Sequence, residues 1–263
     1  MTEIFFRKMS GAGNDFIVID AREKSKNFDI KLSKAQIKHL CDREIVGCDQ
    51  LIIIRDSKKS DCFMEIFNSD GGVVEACGNA TRCVAAIILD EKSEKEEISI
   101  ETKVDVLDCL RSSDEISVKI TKPKFGKDFY FDDKRFYTVN VGNPHAICFD
   151  DFIPDDEYFF ATGKAIESHP FFPDKTNVEF AKITAENIIE IRVFERGVGE
   201  TLACGTGACA VAVAAIRYRL TTANKIITRF KGGDLTIEWD GSDDSYIVMT
   251  GGYEENFTSS ITI

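Results

Sequence analysis

The chain contains one stretch twice, and this internal repeat limits the fold more than any other feature. The later copy runs from Phe194 to Cys209 and the earlier copy from Phe67 to Gly78. Each copy reads Phe, four residues, Gly, three residues and then Ala-Cys-Gly, so Cys77 and Cys204 occupy matching positions 127 residues apart (204 − 77). A two-fold duplication predicts two domains of like fold, each carrying one of the two matched cysteines.

Polar loop residues outside the cysteine stretch repeat in the same order. Asn14 matches Asn143, Gln50 matches Asn177, and Asn68 matches Glu195, all at nearly the same offset as the cysteines. Two similar domains related by a pseudo-dyad are expected to bring these loops to one cleft, with a cysteine on either wall. We therefore predict a single two-walled active site.

Length and charge set the broad class of protein. A chain of 263 residues with 43% hydrophobic and 30% charged residues suits two soluble domains of roughly 100–150 residues each. The Pro/Gly/Lys cluster at 122–126 predicts a first domain over 1–122, joined by a last strand at 253–263, and a second domain over 123–252. The net charge of −12 argues against nucleic-acid binding, which needs a basic surface.

The amino terminus has no secretory pattern, and no apolar stretch approaches the ~18–20 residues that span a bilayer. We therefore expect a cytoplasmic protein without a membrane segment. Nine cysteines without C-x-x-C pairs favour reduced thiols over disulfides or a zinc site.

Hydrophobic periodicity predicts an α/β chain in which short strands alternate with a few helices. The Ser33 and Gln36 pair predicts a capping box at the start of a helix over 33–42. Further helices are predicted after Cys77, over 155–168 and after Cys204. The predicted strands are 3–8, 16–20, 51–55, 61–67, 98–101, 104–111, 115–121, 136–141, 145–149, 176–183, 188–194, 226–230, 234–239 and 246–249.

The two matched cysteines each precede a glycine and a run of helix formers. Each thiol is therefore expected at a helix amino terminus, where unpaired N–H groups and the helix dipole favour a thiolate and lower the cysteine pKa. The same N–H groups can hold a carboxylate. A thiolate and a thiol with two anion-binding helix ends suit a small anionic substrate that loses a proton on one face and regains it on the other, as in a two-base racemase or epimerase.

No cofactor or metal is predicted. The chain has no phosphate-binding loop of P-loop form, and Gly11-Ala12-Gly13 lacks the third glycine of a dinucleotide fingerprint. Three histidines that are far apart in sequence do not supply a metal-ligand spacing. Two helix ends with N–H donors could stabilise the charge that develops on deprotonation without a cofactor.

Eight motifs in order resemble the diaminopimelate epimerase family over essentially the whole chain. They are Met9-Ser10-Gly11-Ala12-Gly13-Asn14-Asp15-Phe16, Gly47-Cys48-Asp49-Gln50, Asn68-x-Asp70-Gly71, Cys77-Gly78-Asn79-x-x-Arg82-Cys83, Gly142-Asn143-Pro144-His145, Thr176-Asn177-Val178-Glu179-Phe180, Glu195-Arg196-Gly197 and Ala203-Cys204-Gly205-Thr206-Gly207. The resemblance implies two pseudo-symmetric α/β (α+β) domains, each a mixed sheet or barrel around a central helix. It implies a cofactor-independent homodimeric isomerase that interconverts LL- and meso-2,6-diaminopimelate in lysine and peptidoglycan biosynthesis.

The family's site residues transfer to matching positions in this chain. Cys77 and Cys204 match the catalytic acid and base, and His145 and Glu195 match residues that tune the thiol pKa values. The implied substrate contacts are Asn14, Gln50, Asn68, Gly78, Asn79, Asn143, Asn177, Glu195, Arg196, Gly205 and Thr206. Ala80 departs from the family glycine, and we expect a local backbone cost there if that position needs a positive φ or a close approach.

Three other functions are compatible with parts of the sequence. A related racemase acting on proline, hydroxyproline or histidine would share the two cysteines. It would not need the polar residues that bind the second amino acid head group of diaminopimelate. A thiol redox or metal-binding protein would use the same cysteines as a disulfide or as ligands. A structural module without catalysis would not need polar residues repeated in loops.

Overall fold

Ile and Phe are the commonest residues in the strands of the computed structural model. The structure describes residues 2–75 and 77–263. Ala76, part of the repeated Ala-Cys-Gly, lies outside the described residues. The chain divides into a first unit, which spans the residues up to Val118 together with Gly251–Ile263, and a second unit, Lys119–Thr250.

The elements follow one another in the same pattern in the two units. In the first part of the chain they are β1 (Glu3–Gly11), β2 (Asn14–Asp20), α1 (Lys34–Cys41), β3 (Gln50–Arg55), β4 (Cys62–Asn68), β5 (Val73–Val74), α2 (Gly78–Glu91), β6 (Glu97–Glu101), β7 (Val106–Ser112) and β8 (Glu115–Lys119). They continue with β9 (Lys124–Phe125), β10 (Phe129–Phe131), β11 (Lys134–Asn140), β12 (Pro144–Phe149), α3 (Asp156–Glu167), β13 (Asn177–Ala185), β14 (Ile188–Glu195), β15 (Gly199–Glu200), α4 (Gly205–Arg217), β16 (Lys225–Phe230), β17 (Gly233–Glu238), β18 (Val248–Gly251) and β19 (Glu254–Thr262).

Strand pairing confirms the duplication. In the first unit β2 runs parallel to β3, β3 antiparallel to β4 and β4 parallel to β6. In the second unit β12 runs parallel to β13, β13 antiparallel to β14 and β14 parallel to β16. The register also repeats, because Phe16 pairs with Gln50 as His145 pairs with Asn177. The last strand, β19, pairs antiparallel with β1 of the first unit.

Each unit has a central helix. The side chains of α2 are buried continuously from Asn79 to Leu89, and those of α4 from Gly207 to Ala215. A helix that is buried on all sides must lie in the core, enclosed by strands, and not on the outer surface of a sheet. α2 packs against β1, β2, β6 and β7, and α4 packs against β11 to β14, β16 and β17. The predicted fold class, mixed sheets around central helices, is confirmed.

The capping box that the sequence predicts at α1 is also confirmed, because the Ser33 side chain accepts from Gln36 N while the Gln36 side chain accepts from Ser33 N. The prediction missed the short strands β5, β9, β10 and β15. Two to three residues carry too little periodicity to be recognised, and these strands form only because a longer neighbour is already in place.

Ala80 does not need the positive φ for which alanine would have been costly. Ala80 lies fully buried within the first turn of α2, where the backbone is helical and alanine is the most favourable residue. Among the non-glycine residues of the eight motifs, Ala12 has a positive φ, at 48°, in the turn between β1 and β2.

Candidate active site

The matched cysteines are the N-cap residues of the two central helices, as the sequence predicts. Cys77 precedes α2 with φ −149° and ψ 110°, and Cys204 precedes α4 with φ −136° and ψ 115°. The extended backbone at an N-cap leaves the N–H groups of the first helical turn without intrahelical partners. Gly78 and Asn79, and likewise Gly205 and Thr206, therefore present backbone donors beside a thiol.

In the first unit the structure groups the predicted polar residues at the strand ends next to α2. We call Asn14, Gln50, Asn68, Cys77, Gly78 and Asn79 the first half-site. Asn79 donates to Asn14 Oδ1 over 2.7 Å, and Gln50 donates to Asn68 Oδ1 over 3.1 Å. Gln50 and Asn68 are directly opposed across β3 and β4, which is why their amides meet.

Two residues that sequence reasoning did not assign complete this network. Asp49 Oδ2 accepts from Asn14 Nδ2 over 3.2 Å, and Arg82 donates to Asn79 Oδ1 over 3.0 Å. Arg82 is fully buried, although it carries a charge. The available signal was an arginine at the start of an apolar helical run, at the position where the second copy has Cys209.

In the second unit the predicted residues group around the first turn of α4. We call Asn143, His145, Asn177, Glu195, Arg196, Cys204, Gly205 and Thr206 the second half-site. The Cys204 thiol accepts from Gly207 N over 3.3 Å and lies 3.4 Å from Thr206 Oγ1. Asn143 donates to Thr206 Oγ1 over 3.3 Å, and its Oδ1 lies 2.9 Å from His145 Nε2.

The remaining predicted residues of this half-site are held by backbone and hydroxyl contacts. Asn177 donates to Pro144 O over 3.0 Å and accepts from Arg196 N over 2.9 Å. The exposed Arg196 guanidinium donates to Asp174 O over 3.0 Å. Glu195 accepts a hydrogen bond from Thr201, a residue that sequence reasoning did not single out.

The expectation that a helix amino terminus lowers the cysteine pKa is wrong for Cys204. Burial raises the pKa of this thiol well above its ordinary value, and the nearby carboxylates of Glu195 and Glu179 raise it further. The hydrogen bonds from Thr206 and Gly207 act in the opposite direction and are outweighed. Burial likewise raises the pKa of Glu195, with the charge of Glu179 adding to the shift and Thr201 opposing it.

Glu179 is an acid of this half-site that sequence reasoning did not assign. It is fully buried, and its Oε1 lies 2.6 Å from Nδ1 of the fully buried His145 side chain. The sequence offers two signals for Glu179, which are its acidic side chain within a largely apolar strand and its place in the motif Thr176-Asn177-Val178-Glu179-Phe180. The second copy has Glu179 at the strand position that Ile52 fills in the first copy, as the ladders to Val193 and Ile66 show.

The described residues contain no group of three or more His, Cys, Asp or Glu side chains arranged to hold a metal ion. Within the same residues, no helix has the length and apolar character needed to cross a membrane.

Comparison with solved structures defines the class of the fold. A phenazine biosynthesis protein of the PhzF family from Bacillus anthracis superposes with a TM-score of 0.73 at 17% identity, covering 100% of both chains. A hydroxyproline epimerase from Agrobacterium vitis superposes with a TM-score of 0.69 at 13% identity, covering 98% of this chain and 92% of that one. The chain thus has the two-copy fold shared by these epimerase and PhzF structures.

Comparison with sequences defines the family within this class. The family model described as diaminopimelate epimerase matches residues 6–125 and 137–255. The diaminopimelate epimerase of Erythrobacter litoralis is 39% identical over 97% of this chain and 96% of that protein. The diaminopimelate epimerase of Nitrosomonas europaea is also 39% identical, over 98% of each chain. The chain belongs to the diaminopimelate epimerase family, and it is an isomerase.

Proposed function

We propose that this chain interconverts LL- and meso-2,6-diaminopimelate without a cofactor, with Cys77 and Cys204 as the acid and the base. The repeat is the observation that supports this proposal most strongly. In each of the two like units one cysteine is the N-cap of the central helix, and the backbone N–H groups beside it donate no hydrogen bond to a carbonyl of the helix. Two such groups, one on each face of a single carbon, can remove its proton and return one to the opposite face.

In the proposed reaction one cysteine thiolate removes the proton from the substrate Cα, so that a C–H bond breaks and an S–H bond forms. The other thiol delivers its proton to the opposite face of the same carbon and becomes the thiolate. Backbone N–H groups stabilise the negative charge that develops on the substrate carboxylate, and these are the N–H groups of Gly78, Asn79, Gly205 and Thr206. The reverse reaction exchanges the two roles.

We assign Cys204 as the protonated partner in the resting enzyme. Its thiol is buried, and Glu195 and Glu179 raise its pKa further, since a thiolate there would face two carboxylates. Cys77 is partly exposed. Cys204 therefore acts first as the acid, and Cys77 supplies the base.

The second amino acid head group of diaminopimelate needs polar partners beyond those at Cα. Asn68, Asn177, Glu195 and Arg196 are proposed to bind it. The copies differ most at Glu195 and Arg196, which match Asn68 and Ser69 in the first copy. Gln50 Oε1 is a buried acceptor that has no hydrogen-bond partner among the described residues, so it is available to a substrate N–H.

The test of this proposal is proton exchange in D2O. Purified enzyme with dithiothreitol is incubated separately with LL-diaminopimelate, meso-diaminopimelate, proline, hydroxyproline and histidine, and NMR follows deuterium at Cα. We expect exchange and epimerisation with both diaminopimelate isomers and none with the other three amino acids. Exchange confined to proline, hydroxyproline or histidine would replace the proposed substrate and keep the two-cysteine chemistry.

We further propose a cytoplasmic homodimer acting in lysine and peptidoglycan precursor synthesis, as the family implies. A reducing compartment fits a mechanism that needs both thiols. Activity that survives oxidation of the thiols, or appears only after oxidation, would instead favour the redox function. Light scattering coupled to size exclusion tests the dimer.

A further inference from the structure

The turn between β14 and β15 carries Glu195 and Arg196, two of the proposed contacts of the second amino acid head group. Val198 N donates to Glu195 O over 3.1 Å and closes the turn. Gly197 has a φ of +76°, which a glycine adopts in such a turn without strain. Arg196, Gly197 and Val198 are exposed to solvent. An exposed turn with few buried contacts opens easily unless groups outside it hold its backbone.

Two side chains outside the turn accept hydrogen bonds from its backbone. Asn177 Oδ1 accepts from Arg196 N over 2.9 Å, as described above. Glu167 Oε1 accepts from Gly197 N over 2.8 Å. Glu167 is the last residue of α3, it is 8% exposed, and it belongs to none of the eight motifs. It is therefore a contact of the site that neither the repeat nor the resemblance indicated.

α3 contacts the turn region at two places, one helical turn apart. A Cβ on Gly163 would lie 2.8 Å from Phe194 Cγ, so the helix packs closely on the residue before the turn. Glu167 follows Gly163 by four residues, on the same face of the helix, and bonds to Gly197. The helix therefore holds the chain on both sides of the two proposed substrate contacts.

Glu167 also contacts the loop that anchors the Arg196 side chain. The Arg196 guanidinium donates to Asp174 O over 3.0 Å. In the same loop, Thr176 N donates to Glu167 O over 3.1 Å, and Lys175 Nζ lies 3.2 Å from Glu167 Oε1. The backbone of the turn and the anchor of the guanidinium are thus both held by segments that Glu167 contacts.

Helix stability does not explain a carboxylate at the end of α3. The carboxyl end of a helix carries partial negative charge, so an acidic side chain in the last turn is unfavourable. The Lys175 side chain that faces Glu167 is 53% exposed, and an ion pair with so exposed a partner adds little stability. The contact that accounts for this carboxylate is its hydrogen bond from Gly197 N.

The first unit holds its matching turn in a different way. Asp70 is the third residue of that turn, and its Oδ1 accepts from Gly72 N over 2.7 Å. Such a turn is held by one of its own side chains. By the match of the two copies, the second unit has Gly197 where the first has Asp70, and glycine has no side chain that could accept. The second turn takes its acceptor from α3 instead.

We propose that Glu167 is a positioning residue: its carboxylate fixes the turn through Gly197 N and so positions the residues that bind the second head group of diaminopimelate. This inference rests on the proposed function, because Glu195 and Arg196 are proposed contacts of that head group. The head group is remote from the reacting carbon. A loosened turn therefore weakens substrate binding more than it slows the proton transfers.

The experiment compares the wild type with Glu167→Ala, Glu167→Gln and Lys175→Met. Glu167→Ala removes the acceptor of Gly197 N, whereas Glu167→Gln keeps an amide oxygen there. Lys175→Met removes the ion pair and keeps the acceptor, so it is the matched control. Values of kcat and KM are measured for LL- and meso-diaminopimelate. Hydrogen–deuterium exchange of the amides of residues 196–198 is followed by fragmentation mass spectrometry, and thermal unfolding shows whether each variant folds.

In Glu167→Ala we expect KM to rise about tenfold or more and kcat to change by less than about threefold, because the turn binds a remote part of the substrate. The amides of residues 196–198 should exchange at least about tenfold faster than in the wild type. Glu167→Gln and Lys175→Met should remain within about threefold of the wild type in these quantities, since both keep an acceptor for Gly197 N.

Wild-type KM or wild-type amide exchange in Glu167→Ala would overturn the proposal. So would a loss in Glu167→Gln or Lys175→Met as large as in Glu167→Ala, because the charge and not the acceptor would then matter. If Glu167→Ala does not fold, Glu167→Met replaces it, with a side chain of similar length and no oxygen. Amides of residues 196–198 that are unprotected in the wild type overturn the proposal without any variant.

The amide exchange needs no substrate, so the failure of this inference and the failure of the proposed function are distinguishable. A wild-type enzyme that exchanges no Cα proton of diaminopimelate refutes the proposed function. Amide exchange that does not respond to Glu167→Ala refutes the role of Glu167 alone.

Discussion

At the residue scale, charge is what distinguishes the two copies of the repeat. The first unit buries the cation Arg82 where the second has Cys209, and the second unit buries Glu179 where the first has Ile52. Buried charges are costly unless they are paired, and each of these has a specific polar partner, Asn79 for Arg82 and His145 for Glu179. A duplicated scaffold has thus acquired different electrostatics around two equivalent thiols.

This difference predicts unequal reactivity of the two thiols. Alkylation needs both access and the thiolate form, and Cys204 is buried with a raised pKa, whereas Cys77 is partly exposed. Iodoacetamide near pH 7.5 should modify Cys77 at least about tenfold faster than Cys204. Peptide mapping by mass spectrometry at short times measures the two rates.

Cys148 is the internal control for this labelling. It is buried in β12, where burial raises its pKa to about 11, and it should remain unmodified over the same period. Faster labelling of Cys204 than of Cys77 would contradict the assignment of Cys204 as the resting thiol.

Site residues that occur in both copies of the repeat were easier to predict from the sequence than those that occur in one copy. Cys77, Cys204, Asn14 and Asn143 could be selected because each has a counterpart at a matching position. Glu179 lacks such support, since its counterpart is an isoleucine, and its contact with His145 at 2.6 Å depends on the fold. The raised pKa of Cys204 could not be predicted either, because it depends on the burial of the thiol, which the sequence does not give.

At the scale of elements, α2 and α4 begin alike but differ in the space around their first turn. Ala80 lies in α2 at the position that Gly207 fills in α4. A Cβ on Gly207 would lie 3.1 Å from Glu179 Oε1, 3.3 Å from Cys204 Cβ and 3.4 Å from Cys204 Sγ. The glycine in α4 is therefore explained by close approach and not by backbone conformation.

Gly207→Ala should reduce activity while leaving the fold intact. The added methyl group presses on both Glu179 and the Cys204 thiol, so we expect kcat/KM to fall by about tenfold or more, as for a misplaced catalytic group. Enzyme kinetics and thermal unfolding measure the two effects.

Ala80→Gly is the matched control in the first unit. It removes a methyl group from the equivalent turn, and should lower the free energy of unfolding by about 1 kcal/mol for helix propensity, with some additional loss for the cavity. Unchanged kinetics in Gly207→Ala would show that the first turn of α4 has more room than these distances indicate.

Elements with strong periodicity were predictable, whereas those made by neighbours were not. Ser33 and Gln36 identified the start of α1, and the apolar runs after Cys77 and Cys204 identified α2 and α4. β15 has two residues and forms because Phe194 and Glu195 offer a free edge to pair with. Such short strand pairings depend on tertiary structure, so no local sequence pattern predicts them.

At the scale of the whole molecule, each unit carries a carboxylate with a strongly lowered pKa. In the first unit burial alone would raise the pKa of Asp15, but hydrogen bonds from Arg43 and Lys8 hold it at about 2. In the second unit the hydrogen bonds from Arg192 hold the pKa of Glu200 at about 2. Both groups are ionised more readily in the folded chain than in the unfolded one.

The folded chain should therefore lose stability in acid. The pKa values in the unfolded chain are 3.8 for Asp15 and 4.5 for Glu200. The stability contributed by a lowered folded-state pKa is fully present when the pH is above these values, and it is lost as the pH falls towards about 2. Calorimetry from pH 7 to pH 2.5 should show a constant unfolding midpoint down to about pH 5, on the basis of these two groups, and a steady fall below it. Glu200→Gln should show a shallower fall, and an equally steep one would exclude Glu200 as a source.

We propose that the two repeated cysteines act on one substrate carbon. The most direct measurement is Cα exchange and epimerisation of LL- and meso-diaminopimelate in D2O by Cys77→Ala and Cys204→Ala, with Cys83→Ala as the control. Cys83 lies in α2, fully buried, and burial raises its pKa to about 12, so it is an inert thiol close to Cys77 in sequence. We predict that neither Cys77→Ala nor Cys204→Ala epimerises either isomer, while Cys83→Ala remains active. Epimerisation at the wild-type rate by either of the first two variants would contradict the two-cysteine mechanism.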